Sequence, residues 1–348
     1  ATRAGTATFT DANGLIASAP ANTVRVDHVD GVPMILVEPS ATNLVTYSED
    51  FSNAAWIKSG VGTGVAPEVT LNAAESPDGT QNATKIVFDS GSGTSSGDQS
   101  MLEDFFNTTG GVSYTQSIYL KGENGGEKIL LRHAGNSAYT TVTLTTEWAR
   151  YEVTETASGS SGYYTIGLRQ GLGGVVINSS ITVYAYGAQV ETGSVATSYI
   201  PTSGSTVTRA KDDLKITGSA FSNFYNQSEG TFYLEFEPRE LSTSIINTAF
   251  ELSNGTGAER ILSLVDSQIH AYFVDGGNVQ AHLDAGTNTV GVLNRLAVSY
   301  KANNIQVSVS GGAVVSDTSA SIPTVDRLII GNQVDDTTRL LNGHIKRL

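Results

Sequence analysis

Residues 231–240 read TFYLEFEPRE and place Glu235, Glu237 and Glu240 in the order E-x-E-x-x-E. Carboxylates at this spacing suggest glycoside hydrolysis, in which two carboxyl groups flank one bond about 5–5.5 Å apart for retention or about 6.5–9.5 Å apart for inversion. On a β-strand, Glu235 and Glu237 project from one face roughly 6.8 Å apart, a compatible distance. The same face carries Thr231 and Tyr233, opposite Phe232, Leu234 and Phe236. That is the ordinary polar-out, apolar-in alternation of a half-buried strand. Pro238 interrupts the ladder where a third carboxylate would need rigid placement, and no Trp lies nearby to form a sugar subsite. The expectation is therefore a solvated sheet face rather than an acid pair.

Other catalytic chemistry finds less support. His28, His133, His270, His282 and His344 are scattered, without the H-x-x-x-H or H-x-H spacing of a metal pair. His270 and His282 could approach across a hairpin, but they read as satisfied surface histidines. The chain has no G-x-S-x-G elbow and no P-loop. The Gly/Ser stretch DSGSGTSSGDQS (89–100) lacks the Lys and following helix of a phosphate cradle and reads as a flexible loop.

Binding requires less machinery: flat aromatic faces that stack on sugar C–H surfaces, with amides and Arg at the rim. The candidate platforms are Trp56, Tyr139, Tyr163 and Tyr164, with Arg132 and Arg169 as polar partners. For Trp56, in the loop-like NAAWIKSG, the competing expectation is a ring that plugs the end of a sandwich. Trp148 reads as core or semi-buried.

These residues must be positioned by a β framework. The chain has 348 residues, enough for two domains with separate cores. Gly (37), Tyr (14) and Phe (11) are abundant, Met is rare (2) and charged residues make up 16 %, a composition that points to an all-β fold. The net charge of −14, without any run of Lys and Arg, argues against nucleic acid and anionic lipid as partners. The absence of Cys excludes a disulfide framework and a thiolate zinc site. No apolar run is long enough to span a bilayer and no signal-peptide pattern opens the chain, so a soluble protein is expected. The chain begins without Met, as a processed product or a fragment would.

Alternating or continuous apolar runs predict strands over 43–51, 114–121, 127–133, 148–154, 163–169 and 181–190, and again over 231–237, 247–252, 261–266, 269–274, 294–301, 305–310 and 325–332. NRLAVSYKANNIQVSVS reads as a hairpin turning at Asn303-Asn304, with Leu296, Val298 and Tyr300 facing Ile305, Val307 and Val309. IPTSGSTVTRA (200–210) reads as a linker. The expected organisation is an extended N-terminal arm (1–40), packed on a domain or a neighbouring subunit, then one β-sandwich over 41–205 and a second over 206–348.

RAGTATFTDANGLI (3–16), ILVEPSATNLVTYSEDFSNAAWIKSG (35–60), SPDGTQNATKI (76–86) and GAQVETGSVATSYIPTSGSTVTRA (187–210) together resemble a recurrent module of phage tail-fibre and virion-associated proteins. The resemblance implies a jelly roll of the carbohydrate-binding-module type. EGTFYLEFEP, NRLAVSYK and DRLIIGNQVDDTTRLLNGHIKRL are similar to laminin-G or concanavalin A-like sandwiches, with Leu293-Asn294 where that family often has Trp. That family usually continues into a short Tyr-containing tail, so a native polypeptide extending past Leu348 is implied. A glycosidase family of sandwich fold carries E-x-D-x-x-E on one strand, and this chain departs from it with Glu237 in place of Asp. The jelly-roll resemblance also implies a structural Ca²⁺, for which Glu49, Asp50 and Glu191 are the available carboxylates; the alternative is solvated turn residues. No other cofactor is implied.

The reading is a non-catalytic virion structural protein or adhesin at a phage tail or capsid surface. Its expected partners are a cell-surface glycan or host receptor and other virion proteins, and its expected assembly is a homo-oligomer, with a trimer favoured. Two other classes remain open: a polysaccharide-degrading enzyme or its accessory module, and an architectural spacer without ligand.

Overall fold

The computed structural model describes residues 1–132, 139–171, 179–240, 246–334 and 339–348. Among these residues the fold is all-β, and the one α-helix is the short Ser219–Ser222. No described helix is long and apolar enough to cross a membrane. The chain divides into two compact units, one made of residues 14–17 and 41–209 and the other of residues 1–13, 18–40 and 210–348. We call them the central and the terminal unit.

The central unit is a sandwich of two five-stranded antiparallel sheets. One runs Ala149–Thr156, Ser113–Gly122, Ser180–Thr192, Ala83–Asp89, Val65–Ala74; the other runs Thr140–Thr143, Lys128–Arg132, Ser161–Arg169, Gln99–Asn107, Ile57–Val61. Period-two alternation turns Leu102 and Phe106, and across from them Tyr164, Ile166 and Leu168, into the core with Phe88 and Ile118. The expected strand over 43–51 is instead mostly irregular, because its buried residues Val45, Ser48 and Phe51 fall at three-residue intervals that no flat strand can bury together. The expected linker is also part of this unit. Val207–Arg209 pairs with Ala41–Asn43, and Ile200 donates its N–H to Gln189 Oε1 at 2.7 Å.

The terminal unit pairs a six-stranded with a seven-stranded sheet. The first runs Leu214–Thr217, Arg327–Ile330, Asn247–Ser253, Arg260–Val265, Gln268–Asp275, Asn278–Thr287. The second runs Val315–Asp317, Ile305–Val309, Asn294–Lys301, Glu229–Pro238, Gly343–Arg347, Val32–Val37, Val26–Val29. Phe236, Phe250, Phe273, Leu296 and Val298 belong to its core. The hairpin forms, with Leu296 opposite Val309 and Val298 opposite Val307, but its turn falls one residue earlier than expected, at Ala302-Asn303: Asn303 has φ 59° and Asn304 donates its N–H to Lys301 O at 2.8 Å.

The extended arm expected over 1–40 is corrected. Val32–Val37 hydrogen-bonds to Gly343–Arg347, with Ile35 opposite Ile345, and Val26–Val29 pairs with its other edge. Met34, Leu36 and Val37 are buried, which makes this segment a structural strand of the terminal unit. At Gly331 (φ 68°) a Cβ would come within 2.6 Å of Val37 Cγ1, so glycine there permits the close approach of the N-terminal strand.

Candidate functional site

Four of the proposed sugar contacts gather on the outer face of the central-unit sheet that contains Gln99–Asn107 and Ser161–Arg169. Cross-strand register lines up Ile57, Glu103, Thr165 and Arg132 in one row across four strands, with Phe105 opposite Tyr163 beside it. Tyr163 faces outward because it alternates with the core residue Tyr164. The Arg132 guanidinium lies 4.7 Å from the Tyr163 ring centre and 5.4 Å from that of Tyr139, and Arg169 lies 5.6 Å from that of Tyr139. Both arginines donate to the Tyr139 hydroxyl at 3.3 Å. Phe105 is 49 % exposed and meets Tyr163 edge-on at 4.9 Å. The Thr165 hydroxyl donates to Glu103 Oε1 at 3.2 Å.

The Gly/Ser loop forms one side of this group. Arg169 Nε donates to Ser96 O at 2.7 Å, and Asp98 fastens the loop by accepting from the Thr63 N–H and hydroxyl, each at 2.8 Å, and from Ser95 N–H at 3.0 Å. Those bonds, the Thr63 N–H foremost, hold the Asp98 carboxyl below its usual range. The face thus offers aromatic rings, two guanidinium forks and a carboxylate acceptor. These groups suit stacking and hydroxyl recognition, and the described part of the face carries no paired acid. Sequence reasoning missed Phe105 and Glu103, although the strand register would have found both once Tyr163 was placed.

Trp56 and Tyr164, expected as platforms, are core residues instead. Trp56 is 1 % exposed, donates its indole N–H to Tyr47 O at 2.8 Å, and packs 5.0 Å from Phe51 and 5.2 Å from Tyr164. Tyr164 is fully buried and donates to Ser117 O at 3.0 Å. The plug expected as the alternative for Trp56 is the observed arrangement.

The calcium set is not assembled either. Glu49 accepts from the Tyr199 hydroxyl at 2.8 Å, Asp50 from the Ser52 hydroxyl at 2.6 Å, and Glu191 from Gln189 Nε2 at 2.6 Å and the Thr197 hydroxyl at 2.9 Å. Asp50 and Glu191 are committed to their own local turns, and Glu49 to Tyr199 far along the chain. Among the described residues, the group of three or more metal-ligating side chains that converge is His270, His282 and Asp284. His28 contacts Thr10 O and His344 contacts Asp27, while His133 lies outside the described residues.

Glu235 and Glu237 lie on the central strand of the seven-stranded sheet, and Glu240 follows its end at Pro238. Glu235 is 5 % exposed and accepts from the Tyr233 hydroxyl at 2.7 Å, with Arg295 and Arg347 each 3.9 Å away. It is therefore covered rather than solvated, contrary to expectation. The Tyr233 hydrogen bond, against the opposing effect of burial and with help from the nearby cations, holds its carboxyl below the usual range, the wrong direction for a general acid. Glu237 stands opposite His344, and Glu240 accepts from Asn342 Nδ2 at 3.4 Å.

One carboxyl is raised. Asp104 lies on the inward face beside Tyr164, and burial pushes it up to about 6 despite a hydrogen bond from Phe105 N–H. In the unfolded chain an Asp ionises near 3.9, so its favourable contribution to folding is complete below about pH 4 and is lost as pH rises through about 6. Asp104→Asn is expected to stabilise the chain at pH 7 by about 1–2 kcal/mol, with partial solvent screening discounted, and to flatten the pH dependence between those limits. Urea unfolding from pH 4 to 7 tests this; an unchanged slope in the variant would refute it.

No family model matches the chain, and no curated protein matches it. Solved structures do. A structure described as "CBM4 structure and function" shares 16 % identity over 37 % of this chain and 87 % of its own, with a TM-score of 0.25. The LG1-3 region of the laminin alpha2 chain shares 9 % over 70 % and 63 %, with a TM-score of 0.30. The tripod from the baseplate of bacteriophage Tuc2009 shares 12 % over 82 % and 97 %, with a TM-score of 0.24. These are low-identity likenesses of architecture, and nothing about function follows from them.

Proposed function

We propose that this chain is a non-catalytic, glycan-binding virion protein whose central unit contacts sugar through the outer face built from Arg132, Tyr139, Tyr163, Arg169, Phe105 and Glu103. The observation that carries the reading is the convergence of Arg132 on both Tyr163 and Tyr139 beside the exposed Phe105. Guanidinium planes over rings make flat amphipathic surfaces. Sugar C–H faces stack on such surfaces while hydroxyls take the remaining donors and the Glu103 acceptor. Placement at a phage tail or capsid surface, a host glycan or receptor as target and a symmetric oligomer, with a trimer favoured, rest on the sequence resemblance of residues 3–210. Multivalency of that kind would raise weak single-site affinity by about 10²–10⁴.

The test is a glycan array with the unaltered chain, followed by titration of the best ligand against Arg132→Ala, Tyr163→Ala and, as a control just before the edge strand Ala149–Thr156 of the other sheet, Trp148→Ala. The first two are expected to weaken binding at least about tenfold, the loss of roughly 1.4 kcal/mol of contact, and the third to leave it unchanged. Equal affinity for all variants would remove this face from consideration. Reducing-end release from the same polysaccharides, abolished by Glu235→Gln with Glu237→Gln, would establish hydrolysis and overturn the non-catalytic reading.

A further inference from the structure

The other chemically distinctive cluster lies in the terminal unit. Gln268–Asp275 and Asn278–Thr287 form a hairpin through Gly276-Gly277, both at positive φ (57° and 77°), as a tight two-residue turn requires. On one side of the hairpin Ala271, Phe273, Ala281 and Leu283 enter the core. On the other, His270 stands directly opposite Asp284 and Tyr272 directly opposite His282. Three potential ligand atoms meet there. His270 Nδ1 is 2.7 Å from Asp284 Oδ1, His282 Nε2 is 3.0 Å from the same oxygen, and the two ring nitrogens are 3.4 Å apart.

We propose that His270 Nδ1, His282 Nε2 and Asp284 Oδ1 form a binding site for a divalent transition ion of the Zn²⁺ class. Ligand bonds of about 2.0–2.2 Å in a tetrahedral site separate neighbouring donor atoms by about 3.3–3.5 Å. The two imidazole nitrogens are already at that distance, and the carboxylate oxygen has to withdraw by about 0.3–0.8 Å when the ion replaces the shared protons. The far nitrogen of each ring is also occupied. His270 Nε2 lies 3.3 Å from Asp266 Oδ1, and His282 Nδ1 lies 3.0 Å from the Tyr272 hydroxyl. Such outer partners fix ring orientation and the tautomer that leaves the ligand nitrogen bare. The Tyr272 ring adds a stacking contact with His282, 4.1 Å between centres.

Imidazole with one carboxylate suits Zn²⁺, Co²⁺ or Ni²⁺ better than Ca²⁺, which takes oxygen ligands. The side chains of His282 and Asp284 are 43 % and 61 % exposed, so the ion would be reached from solvent and its fourth position would hold water or an exchangeable donor. The sequence carried the signal as H-x-D at 282–284, which strand alternation places on one face opposite His270.

The test uses tag-free, chelator-treated chain titrated with Zn²⁺ by calorimetry, with thermal unfolding measured in parallel. One saturable equivalent and a raised Tm are expected. Co²⁺ should give the visible absorption of a nitrogen–oxygen tetrahedral site. His282→Ala and the near-isosteric Asp284→Asn should each weaken Zn²⁺ at least about 100-fold with unchanged circular dichroism, and Tyr272→Phe should weaken it about tenfold, as loss of an outer partner does. Absence of a saturable equivalent would refute the site. So would an equivalent that survives both Asp284→Asn and a His270→Ala, His282→Ala double variant.

Discussion

Replacing Arg25 with alanine is expected to cost about 3–5 kcal/mol of stability, the penalty for leaving buried charges without their partner. The Arg25 side chain is fully enclosed in the terminal unit. It donates to Thr8 O at 2.9 Å and to Glu38 Oε2 at 2.8 Å, and it pairs with Asp212 Oδ2. Asp212 in turn accepts from Arg3 Nη1 at 3.0 Å and from Glu38 N–H at 3.0 Å, and Arg3 reaches the carbonyls of Ala19 and Pro20. Truncation at Arg25 therefore leaves two carboxylates under-compensated at once. Arg25→Lys is expected to recover only part of the loss, because one ammonium cannot reproduce a fork that engages two acids and a carbonyl. Denaturant unfolding of both variants decides the matter. An Arg25→Ala loss below about 1 kcal/mol would mean that the network tolerates a gap.

The second large effect is expected at Asn43 in the central unit. Its amide donates to Ala188 O at 3.1 Å and Ile200 O at 2.8 Å, and its oxygen accepts from Val45 N–H and Val190 N–H, each at 3.1 Å. Two donors and two acceptor sites are the full capacity of an Asn side chain, and the residue is completely buried. Asn43→Ala strands two carbonyls and two amides, and about 3–4 kcal/mol is expected to be lost, since each unmet buried group costs about 1–3 kcal/mol without strict additivity. The same variant should raise hydrogen exchange at Val45 and Val190 before exchange rises elsewhere. Uniform protection across the unit would argue against a local staple.

These two networks also explain what could be read from the sequence. Composition and alternation yielded the all-β class and most strands of the terminal unit, because Phe232, Leu234, Phe236 and their cross-strand partners repeat with period two. Gln99–Asn107 went unread because Asp104 turns inward at a position where alternation demands an apolar side chain. Asn278–Thr287 went unread because its inward residues Ala281 and Ala285 are too small to mark a face. The segments that resemble the virion module proved to hold staple residues: Arg3, Glu38, Asn43, Ser48 and Tyr199 form hydrogen bonds or ion pairs across long stretches of chain, and Gln189 ties down nearby Ile200. They report on fold, so they could not point to a ligand face. Of that face, Tyr139, Tyr163, Arg132 and Arg169 were legible as residue types. Whether a ring lies outside or in the core depends on strand register, which separated Tyr163 from its neighbour Tyr164.

The pairing of Val32–Val37 with Gly343–Arg347 carries a temporal consequence. A ribosome delivers residue 32 some three hundred positions before its partner, and residues 41–209 of the central unit can fold in the interval because the first and last strands of that segment, Ala41–Asn43 and Val207–Arg209, pair with each other. Closing a flexible loop costs more entropy as it lengthens, though only logarithmically. Once residues 41–209 have collapsed, the effective loop that the N-terminal strand must close is much shorter than the sequence separation. The nested order of strands thus makes early folding of the insert a means of lowering the entropic cost of this long-range pairing.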